Sequence, residues 1–334
     1  MRSTLRALLA SGAAALALTA TGCGGTVSDP GGSTSGGPGG SGGPDGKAAI
    51  TVESARGPVK LDKPATRVVS LEWSYTEELV ALGAPPVGSA DNANYRTWVG
   101  APGSELPPGT VDVGKRQQPS LEQIKALQPD LIVGDEDRIK ANYPQLAAIA
   151  PVVSFNPTAP PALASMKGNF SELAEAVGKR GEAAAVLGRL DQKTAEVRQR
   201  LERSGKGGAE YALAQGRTAN GVPSIRMFTD QALPSQVINQ TGLKNTWRGR
   251  GDEWGMTTIG VEGLAQIAPS AHFLHVSAAS DDPFTGALAG NPVWRDQEFV
   301  KAGRNAQLDP GTWMFGGPLS AMQLLDETAK ALGA

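Results

Sequence analysis

The sequence predicts an α/β protein with two similar lobes, mostly parallel sheets and a long helix between the lobes. Three observations predict this fold: short apolar strands alternate with amphipathic helices, a long helical stretch without strand signals follows, and the alternation then resumes. An early motif also recurs in the second half of the chain. With 334 residues, the chain is long enough for each lobe to bury its own core.

The N-terminus has the pattern of a targeting segment. Two arginines precede an apolar stretch over residues 8–20, which is too short for a permanent membrane span. The letters ATGC at residues 20–23 resemble a bacterial lipobox, in which the cysteine becomes the lipidated first residue, although Ala20 stands where Leu is usual. We expect a signal peptide over residues 1–22 and a lipid anchor at Cys23. An ordinary secreted protein with a cysteine near its cleavage site is the alternative.

A flexible tether is expected over residues 23–47, because Gly, Ser, Pro and Thr dominate this segment and leave little apolar surface to bury. By random-coil scaling it reaches roughly 25–30 Å. Matches to G-x-S-x-G at residues 39–43 and to G-x-G-x-x-G at residues 37–42 neither follow a strand nor open a helix. We therefore assign no nucleophile elbow and no nucleotide-binding loop to them.

Strands and helices alternate in the predicted first lobe, residues 48–164. Short apolar runs predict buried strands, and apolar residues at helical spacing predict the helices. In chain order these elements are a strand over 67–71, a helix over 76–82, a helix over 121–127 and a strand over 131–133.

The sequence of residues 165–205 predicts helical structure and contains no strand signals. This region would connect the lobes. Four of its apolar residues fall on one helical face, namely Val186, Leu190, Val197 and Leu201. We expect a single bridging helix from about Glu182. The alternative is two consecutive helices that break near Gly178 and Gly181.

The second lobe is predicted over residues 206–334 and repeats a motif of the first. SLEQI at residues 120–124 is matched by GVEGL at residues 260–264, and in both cases a proline and an apolar strand follow at the same offsets. Each lobe should therefore carry a helix with an exposed glutamate near its start, Glu122 and Glu262. The helix dipole alone also favours a glutamate there, so the spacing leaves its role open.

Composition and spacing point away from catalysis and from nucleic acid. The formal net charge is −2 and no basic stripe is present, so no polyanionic partner is implied. The only histidines, His272 and His275, would point to opposite faces of a predicted strand and could not share a metal. The acidic run at residues 135–137 could bind a cation, but a solvated loop is the simpler interpretation. We expect no enzymatic activity, no cofactor and no protein-bound metal.

A binding cleft is the more informative interpretation. Aromatic residues and an arginine follow predicted strands or lie beside glycines, at positions where open α/β sheets bind their ligands. Each aromatic side chain could instead fill a core, but the shared kind of position favours a cleft. These residues are Trp73, Tyr95, Trp98, Arg116, Trp254, Trp313 and Phe315.

A series of motifs runs through the chain from Arg67 onward. They are, in order, RVVSLEW, NYRTWV, VDVGKRQQPSLEQI, TWRGRGDEWGMT, PVWRDQEFVKAGR and TWMFGGPLSAM. With these motifs the chain resembles the ferric-hydroxamate-binding proteins of siderophore ABC importers. That family lies within the helical-backbone (class III) group of substrate-binding proteins, and the order of the motifs is specific to its hydroxamate branch.

The resemblance implies two Rossmann-like lobes joined by a single long backbone helix, with a shallow ligand cleft between them. The implied ligand contacts are Trp73, Trp98, Arg116, Trp254 and Trp313. Among these, Arg116 matches the arginine that contacts iron-bound oxygens, and the tryptophans match aromatic walls. Glu122 and Glu262 match two glutamates that dock against arginines of the membrane permease.

Two departures from the family pattern concern the cleft. A tyrosine is expected in the loop after the strand at residues 131–133, where this chain reads DEDRI, and a second expected tyrosine is replaced by Phe315. Arg138, within DEDRI, is a candidate substitute for the first hydroxyl. We therefore add Arg138 to the expected ligand contacts. Phe315 and Tyr95, from the set of cleft residues named above, are also expected contacts.

The expected function is that of a monomeric, extracytoplasmic and lipid-anchored component of an ABC importer. It would capture Fe(III)-hydroxamate siderophores of ferrioxamine or ferrichrome type, whose oxygens already fill the iron coordination sphere, and deliver them to the permease. The alternatives within the same scaffold are a catecholate siderophore, cobalamin and haem. An α/β hydrolase would need a nucleophile elbow inside the fold, and an adhesion module would not need the aromatic and arginine residues.

Overall fold

The structure, a computed structural model, describes residues 49–334. The predicted signal peptide, the lipid anchor at Cys23 and the tether all fall within residues 1–48 and lie outside the described residues. None of the helices between residues 49 and 334 is both long enough and apolar enough to cross a membrane.

The first lobe contains short strands and mostly short helices. Its strands are β1 (Ile50–Val52), β2 (Val59–Leu61), β3 (Val68–Ser70), β4 (Gly88–Ser89), β5 (Val111–Asp112), β6 (Gly114–Lys115), β7 (Gln118–Pro119), β8 (Leu131–Asp135) and β9 (Val152–Phe155). Its helices are α1 (Trp73–Ala81), α2 (Asn92–Trp98), α3 (Leu121–Ala126), α4 (Glu136–Ile139), α5 (Tyr143–Ala147) and α6 (Ala162–Ala176).

A long helix, α7 (Arg180–Arg203), precedes the second lobe. The strands that follow are β10 (Glu210–Ala219), β11 (Val222–Phe228), β12 (Lys244–Asn245), β13 (Met256–Ile259), β14 (His272–Val276) and β15 (Asn305–Gln307). The helices that follow are α8 (Leu233–Asn239), a 3₁₀ helix (Val261–Gln266), α9 (Pro292–Arg295), α10 (Glu298–Lys301) and α11 (Pro318–Ala331).

The main sheet of the first lobe is parallel, with strand order β5-β4-β3-β8-β9. All residues of its central strands β3 and β8 are buried, because helices cover both faces and favour apolar runs in such strands. These strands and the helices α1 and α3 confirm the elements predicted for this part of the chain. Helix α1 begins earlier than expected, at Trp73, because the Glu72 side chain accepts the Trp73 N–H and caps the helix.

The sheet of the second lobe is mixed, with strand order β13-β11-β10-β14-β15 and β12 beside β10. Strands β10, β14 and β15 pair in parallel, whereas β11 pairs antiparallel with both β10 and β13. The two-residue loop between β10 and β11 is Asn220-Gly221, and both residues have positive φ, 52° and 77°. Asn-Gly is the preferred sequence of such hairpin turns, so a local signal for this antiparallel pair was present in the sequence.

The helical region between the lobes is two helices, and only the second one bridges. Helix α6 ends at Ala176, and Gly178 follows with a φ of 68°, a left-handed conformation that glycine adopts without strain. Helix α7 then packs into both cores: Ala183 and Val186 belong to the core of the first lobe, whereas Leu190, Val197 and Leu201 belong to that of the second. The expected bridging helix is thus present, preceded by the break near Gly178.

A second link between the lobes runs through Glu77 of helix α1. This fully buried carboxyl accepts hydrogen bonds from the Ser320 N–H at 2.8 Å, the Ser320 hydroxyl at 2.5 Å and the Gly317 N–H at 3.2 Å. It therefore satisfies free backbone donors at the N-terminus of helix α11. A Cβ at Gly316 would lie 2.5 Å from Glu77 Oε2, which explains why the chain has glycine there.

We predict that Glu77→Ala lowers the free energy of unfolding by about 2–4 kcal/mol, because three donors lose their acceptor in a buried site. Urea denaturation of the described part of the chain would measure this change. The exposed Glu202 of helix α7 offers a control, since Glu202→Ala should change stability by no more than about 0.5 kcal/mol. Equal effects of the two substitutions would show that the link contributes nothing.

Candidate ligand-binding site

A cleft of about 420 Å³ lies between the two lobes, and we call it the arginine cleft. The first lobe supplies residues from the start of α1, from the β6–β7 turn and from α4, and the second supplies residues from β11, from β13 and from two loops. The lining residues are Glu72, Ser74, Arg116, Gln117, Arg138, Arg226, Asp252, Trp254, Met256, Thr258, Trp313 and Phe315. Guanidinium groups from both lobes thus face the same space as aromatic rings from the second lobe.

Glu72 organises the two arginines of the first lobe. Its side chain is 6% exposed; Oε1 accepts hydrogen bonds from the Trp73 N–H at 2.8 Å and from Arg116 Nη1 at 2.7 Å. Its other oxygen, Oε2, lies 2.6 Å from Arg138 Nε in an ion pair that is not aligned as a hydrogen bond. One buried carboxylate therefore balances part of the charge of two guanidinium groups and fixes their positions.

Arg116 is held by a hairpin turn and by an aromatic ring. Strands β6 and β7 pair antiparallel, with Lys115 opposite Gln118, so Arg116 occupies the two-residue turn between them. Its guanidinium carbon lies 3.6 Å from the ring centroid of Trp73, a cation–π contact. Nη1 bonds to Glu72, whereas Nε is buried without a hydrogen-bond partner. Arg116 thus keeps N–H donors beyond those used by Glu72.

Arg226 is a cleft residue that sequence reasoning missed. It lies on β11 between the buried residues Ile225 and Met227, so its side chain emerges from the opposite face of the strand. Arg226 Nη1 donates to Gln215 Oε1 at 3.3 Å, and burial together with the charge of Arg217 lowers the pKa of Arg226. A single arginine within an otherwise uncharged strand was the available signal.

The aromatic side chains form a connected wall around Trp313. The centroid of its ring lies 5.1 Å from that of Trp73, 6.2 Å from that of Trp98 and 5.1 Å from that of Phe315. Phe315 in turn meets Trp254 edge-to-face at 5.5 Å. Trp313 Nε1 is buried without a hydrogen-bond partner, so the wall also contains a free donor.

The structure brings most of the expected contact residues together, but in different roles. Arg116, Arg138, Trp254, Trp313 and Phe315 line the arginine cleft directly.

Trp73 lies beneath Arg116 and donates its indole N–H to the Ala90 carbonyl at 3.2 Å, while Trp98 packs against the Trp313 side of the wall. Tyr95 is not brought into the cleft. It is 1% exposed and its hydroxyl donates to the Ser104 carbonyl at 2.6 Å, so it supports the wall from the core side.

Glu122 and Glu262 lie where the repeated motif predicts exposed glutamates. Glu122 is exposed in the first turn of α3, which Ser120 caps, and Glu262 is exposed in the first turn of the 3₁₀ helix. Neither residue lines the arginine cleft. The helix predicted at the second position is present as a 3₁₀ helix.

The expected positions of the two histidines are confirmed. His275 is 1% exposed, whereas His272 is partly exposed on the other face of β14. Between residues 49 and 334, no group of three or more His, Cys, Asp or Glu residues is arranged to hold a metal ion. Asp135 is instead the last residue of β8 and caps α4, where it accepts the Asp137 N–H at 2.9 Å.

A second cavity, of about 480 Å³, lies on the other side of Trp254 and Phe315, and we call it the acidic cavity. Its lining contains carboxyl side chains, prolines and aromatic rings together with neutral polar side chains. The lining residues used below are Tyr75, Glu78, Pro160, Pro161, Met166, Asp252, Glu253, Trp254 and Phe315. Ser74, Asp252, Trp254 and Phe315 line both the acidic cavity and the arginine cleft, so the two spaces are neighbours.

Two lobes with an aromatic, arginine-bearing cleft between them define a two-lobed ligand-binding protein. A family model for periplasmic binding proteins matches residues 68–312, and the chain therefore belongs to the periplasmic binding protein family.

The chain is similar to several characterised proteins. The iron(3+)-hydroxamate-binding protein FhuD of Escherichia coli (strain K12) is 31% identical over 274 residues, which are 80% of this chain and 87% of that protein. The Fe(3+) dicitrate-binding periplasmic protein FecB of the same strain is 29% identical and covers 84% of this chain, with 90% of its own length matched. Among solved structures, the Fe3+–Desferal-bound siderophore-binding protein FhuD of Vibrio cholerae superposes with a TM-score of 0.72 at 28% identity, covering 80% of this chain and 98% of that one.

Burial of Glu78 predicts a pH-dependent stability. Burial, and then the charge of Glu77, raise the pKa of Glu78 well above its ordinary value of 4.5. The folded protein therefore binds this proton more tightly than the unfolded chain, and the resulting stability is lost as pH rises. Glu78→Gln has no proton to lose, so the stability of the variant relative to the wild type should increase from about pH 5 to about pH 8.

Denaturant unfolding at the two pH values would test this, with Glu202→Gln as the control for loss of one surface carboxylate. A difference between Glu78→Gln and the wild type that does not change with pH would contradict the prediction.

Proposed function

We propose that this chain is the extracytoplasmic binding component of an ABC importer and that it captures a ferric hydroxamate siderophore. The observation that supports this most directly is the arginine cleft, in which guanidinium donors and an aromatic wall meet in one space. Membership of the periplasmic binding protein family and similarity to the FhuD proteins of Escherichia coli and Vibrio cholerae support the same function. The function is binding and delivery, with no reaction on the ligand.

The chemistry of the cleft suits an iron complex whose coordination sphere is already filled. Hydroxamate oxygens bound to Fe(III) keep partial negative charge and can accept hydrogen bonds. Arg116 has a buried Nε without a partner and a planar guanidinium that can donate to neighbouring oxygens. The Trp254 and Trp313 rings would cover the aliphatic linkers of the ligand and exclude water.

The charge balance of the cleft favours a hydroxamate over a catecholate complex. Three singly charged hydroxamates neutralise Fe(III), whereas three doubly charged catecholates leave a large negative surplus. The cleft contains Arg116, Arg138 and Arg226, but Glu72 and Asp252 line the same space, so little positive surplus remains. A near-neutral complex meets this surface without an uncompensated charge.

The position of Arg138 supports its expected role as a substitute for the hydroxyl of the first missing tyrosine. It lies beside Glu72 in the cleft, where it adds a donor of a different kind from the hydroxyl of the family pattern. Phe315, without a hydroxyl, extends the apolar wall between Trp313 and Trp254. These two positions would make the ligand preference within the hydroxamates different from that of relatives with two tyrosines.

The remaining parts of the proposal concern location and partners. A lipid anchor at Cys23 and a tether would hold a monomeric globule at the outer face of the cell membrane. Glu122 and Glu262 would dock on arginines of the permease, one from each lobe. Their exposure, and their positions in two equivalent helical turns outside the cleft, support this role.

Ligand capture can be measured by quenching of tryptophan fluorescence in residues 47–334. We expect saturable quenching by ferrioxamine B or a ferrichrome, and none at comparable concentration by a ferric catecholate or cobalamin. Arg116→Ala should weaken hydroxamate binding by about 2 kcal/mol, or roughly 30-fold, because a charge-assisted hydrogen bond in a desolvated site is lost.

The matched control is Arg96→Ala, at an exposed arginine of helix α2, which should leave the hydroxamate affinity at the wild-type value. Tight binding of a catecholate, haem or cobalamin with no response to either hydroxamate would keep the scaffold but discard the proposed ligand. Unchanged hydroxamate affinity in Arg116→Ala would remove Arg116 from the contact set.

Permease docking should be separable from ligand binding. Reversing both charges in Glu122→Lys/Glu262→Lys should lower uptake of the ferric hydroxamate by about tenfold or more, because cationic residues would face permease arginines. Uptake of radiolabelled iron by cells that carry the cognate permease would measure this, and fluorescence titration would check ligand affinity. Glu202→Lys, the same charge change elsewhere, should have normal uptake; normal uptake in the double variant would reject the docking surface.

A further inference from the structure

We propose that the acidic cavity is a subsite for a primary alkylammonium arm of the ligand. The inference rests on the proposed function, because the arm would belong to a siderophore whose iron centre occupies the neighbouring arginine cleft. It adds a second recognition element, of opposite charge to the first, and so specifies a class of hydroxamate siderophore.

Two buried polar groups in the lining of the cavity lack a partner. Glu78 is 1% exposed and its Oε2 has no hydrogen bond, and Tyr75 is 1% exposed and its hydroxyl also has none. Both residues line the acidic cavity. Buried polar atoms normally find partners within the protein, and leaving them without one is costly. A donor that enters the cavity from a ligand would satisfy them.

The charge of the lining specifies a cation. Among the described residues that line the cavity, Glu78, Asp252 and Glu253 are acidic, and no Lys, Arg or His is present. Asp252 Oδ1 accepts the backbone N–H groups of Trp254 and Met256 at 3.0 and 2.9 Å. The acidic side chains do not form a metal-binding cluster, so an organic cation fits the site better than a metal ion.

The uncharged part of the lining fits a short alkyl stem. Pro160, Pro161 and Met166 provide apolar surface, and Trp254 and Phe315 present aromatic rings to the same space. An ammonium group on an alkyl chain combines apolar contact along its stem with cation–π attraction and hydrogen bonding at its head. A primary ammonium has three donors, enough for Glu78 and the Tyr75 hydroxyl together.

The position of the cavity allows one ligand to occupy both spaces. Trp254 and Phe315 separate the acidic cavity from the arginine cleft, and both residues line the two of them. An arm that leaves the iron centre can therefore pass along these rings. The raised pKa of Glu78 agrees with this, because burial without a cationic partner disfavours its charged form and an ammonium group beside it would favour that form.

The experiment compares two ferric trihydroxamates that differ only at the end of one arm. Ferrioxamine B carries a free primary ammonium, and its N-acetyl derivative carries a neutral amide in the same place. Tryptophan quenching gives the dissociation constant of each complex, and the ratio of the two constants is the readout. In the wild type we expect ferrioxamine B to bind about tenfold more tightly or better.

The variants locate the origin of this ratio. Glu78→Gln should bring the ratio close to unity, and Glu202→Gln, which removes an exposed carboxylate elsewhere, should keep the wild-type ratio. Glu253→Gln changes an exposed position that poses little risk to folding, and it should lower the ratio by about two- to fivefold.

The possible outcomes separate failure of the ammonium subsite from failure of the proposed function. Equal binding of the two complexes to the wild type would reject the ammonium subsite and leave the proposed function intact. A tenfold ratio that persists in both Glu78→Gln and Glu253→Gln would also reject the subsite, because the selectivity would then arise outside the acidic cavity. Failure of both complexes to bind the wild type would reject the subsite, and failure of a ferrichrome to bind as well would overturn the proposed function.

Discussion

The arrangement of the cleft depends on the buried carboxylate of Glu72. Glu72 lies between β3 and α1. Its carboxylate caps α1 through the Trp73 N–H and pairs with Arg116 and Arg138. Burying a carboxylate is costly unless several partners compensate it, and here a backbone donor and two guanidinium groups do so. Without Glu72 the two arginines would lose their shared counter-charge, and Arg116 would keep only its contact with the Trp73 ring. The dipeptide Glu72-Trp73 thus places both the charged and the aromatic partner of Arg116.

Features with strong local signals could be predicted from the sequence. Neighbouring residues determine each of these features, namely the apolar runs of β3 and β8, the helical face of α7 and the exposed glutamates of the repeat. The cleft positions of Trp254 and Trp313 were predicted from their places beside glycines, and the family resemblance implied the same positions. Arg138, chosen only for its place in a divergent loop, also lies in the cleft.

The residues that were missed or misplaced depend on contacts distant in sequence. Arg226 reaches the cleft because β11 pairs with β10 and β13, which sets its register opposite Gln215 and Thr258. Tyr95, on helix α2, points away from the cleft and donates to the carbonyl of Ser104, which lies in an irregular loop with no periodic pattern. Glu78 lies on an ordinary helix, and its burial against Gly317 results from the packing of the far end of the chain onto it.

The link between Glu77 and the start of helix α11 has a mechanical consequence. Helix α7 joins the lobes covalently, and the hydrogen bonds of Glu77 join them again at a second place. Attachments at separate places oppose wide hinge opening between the lobes. The outer surfaces with and without cargo would then be nearly alike, and a membrane partner could not reject the empty protein by shape. Empty copies would compete for the same partner, so importer flux would depend on the fraction of copies that are loaded as well as on their number.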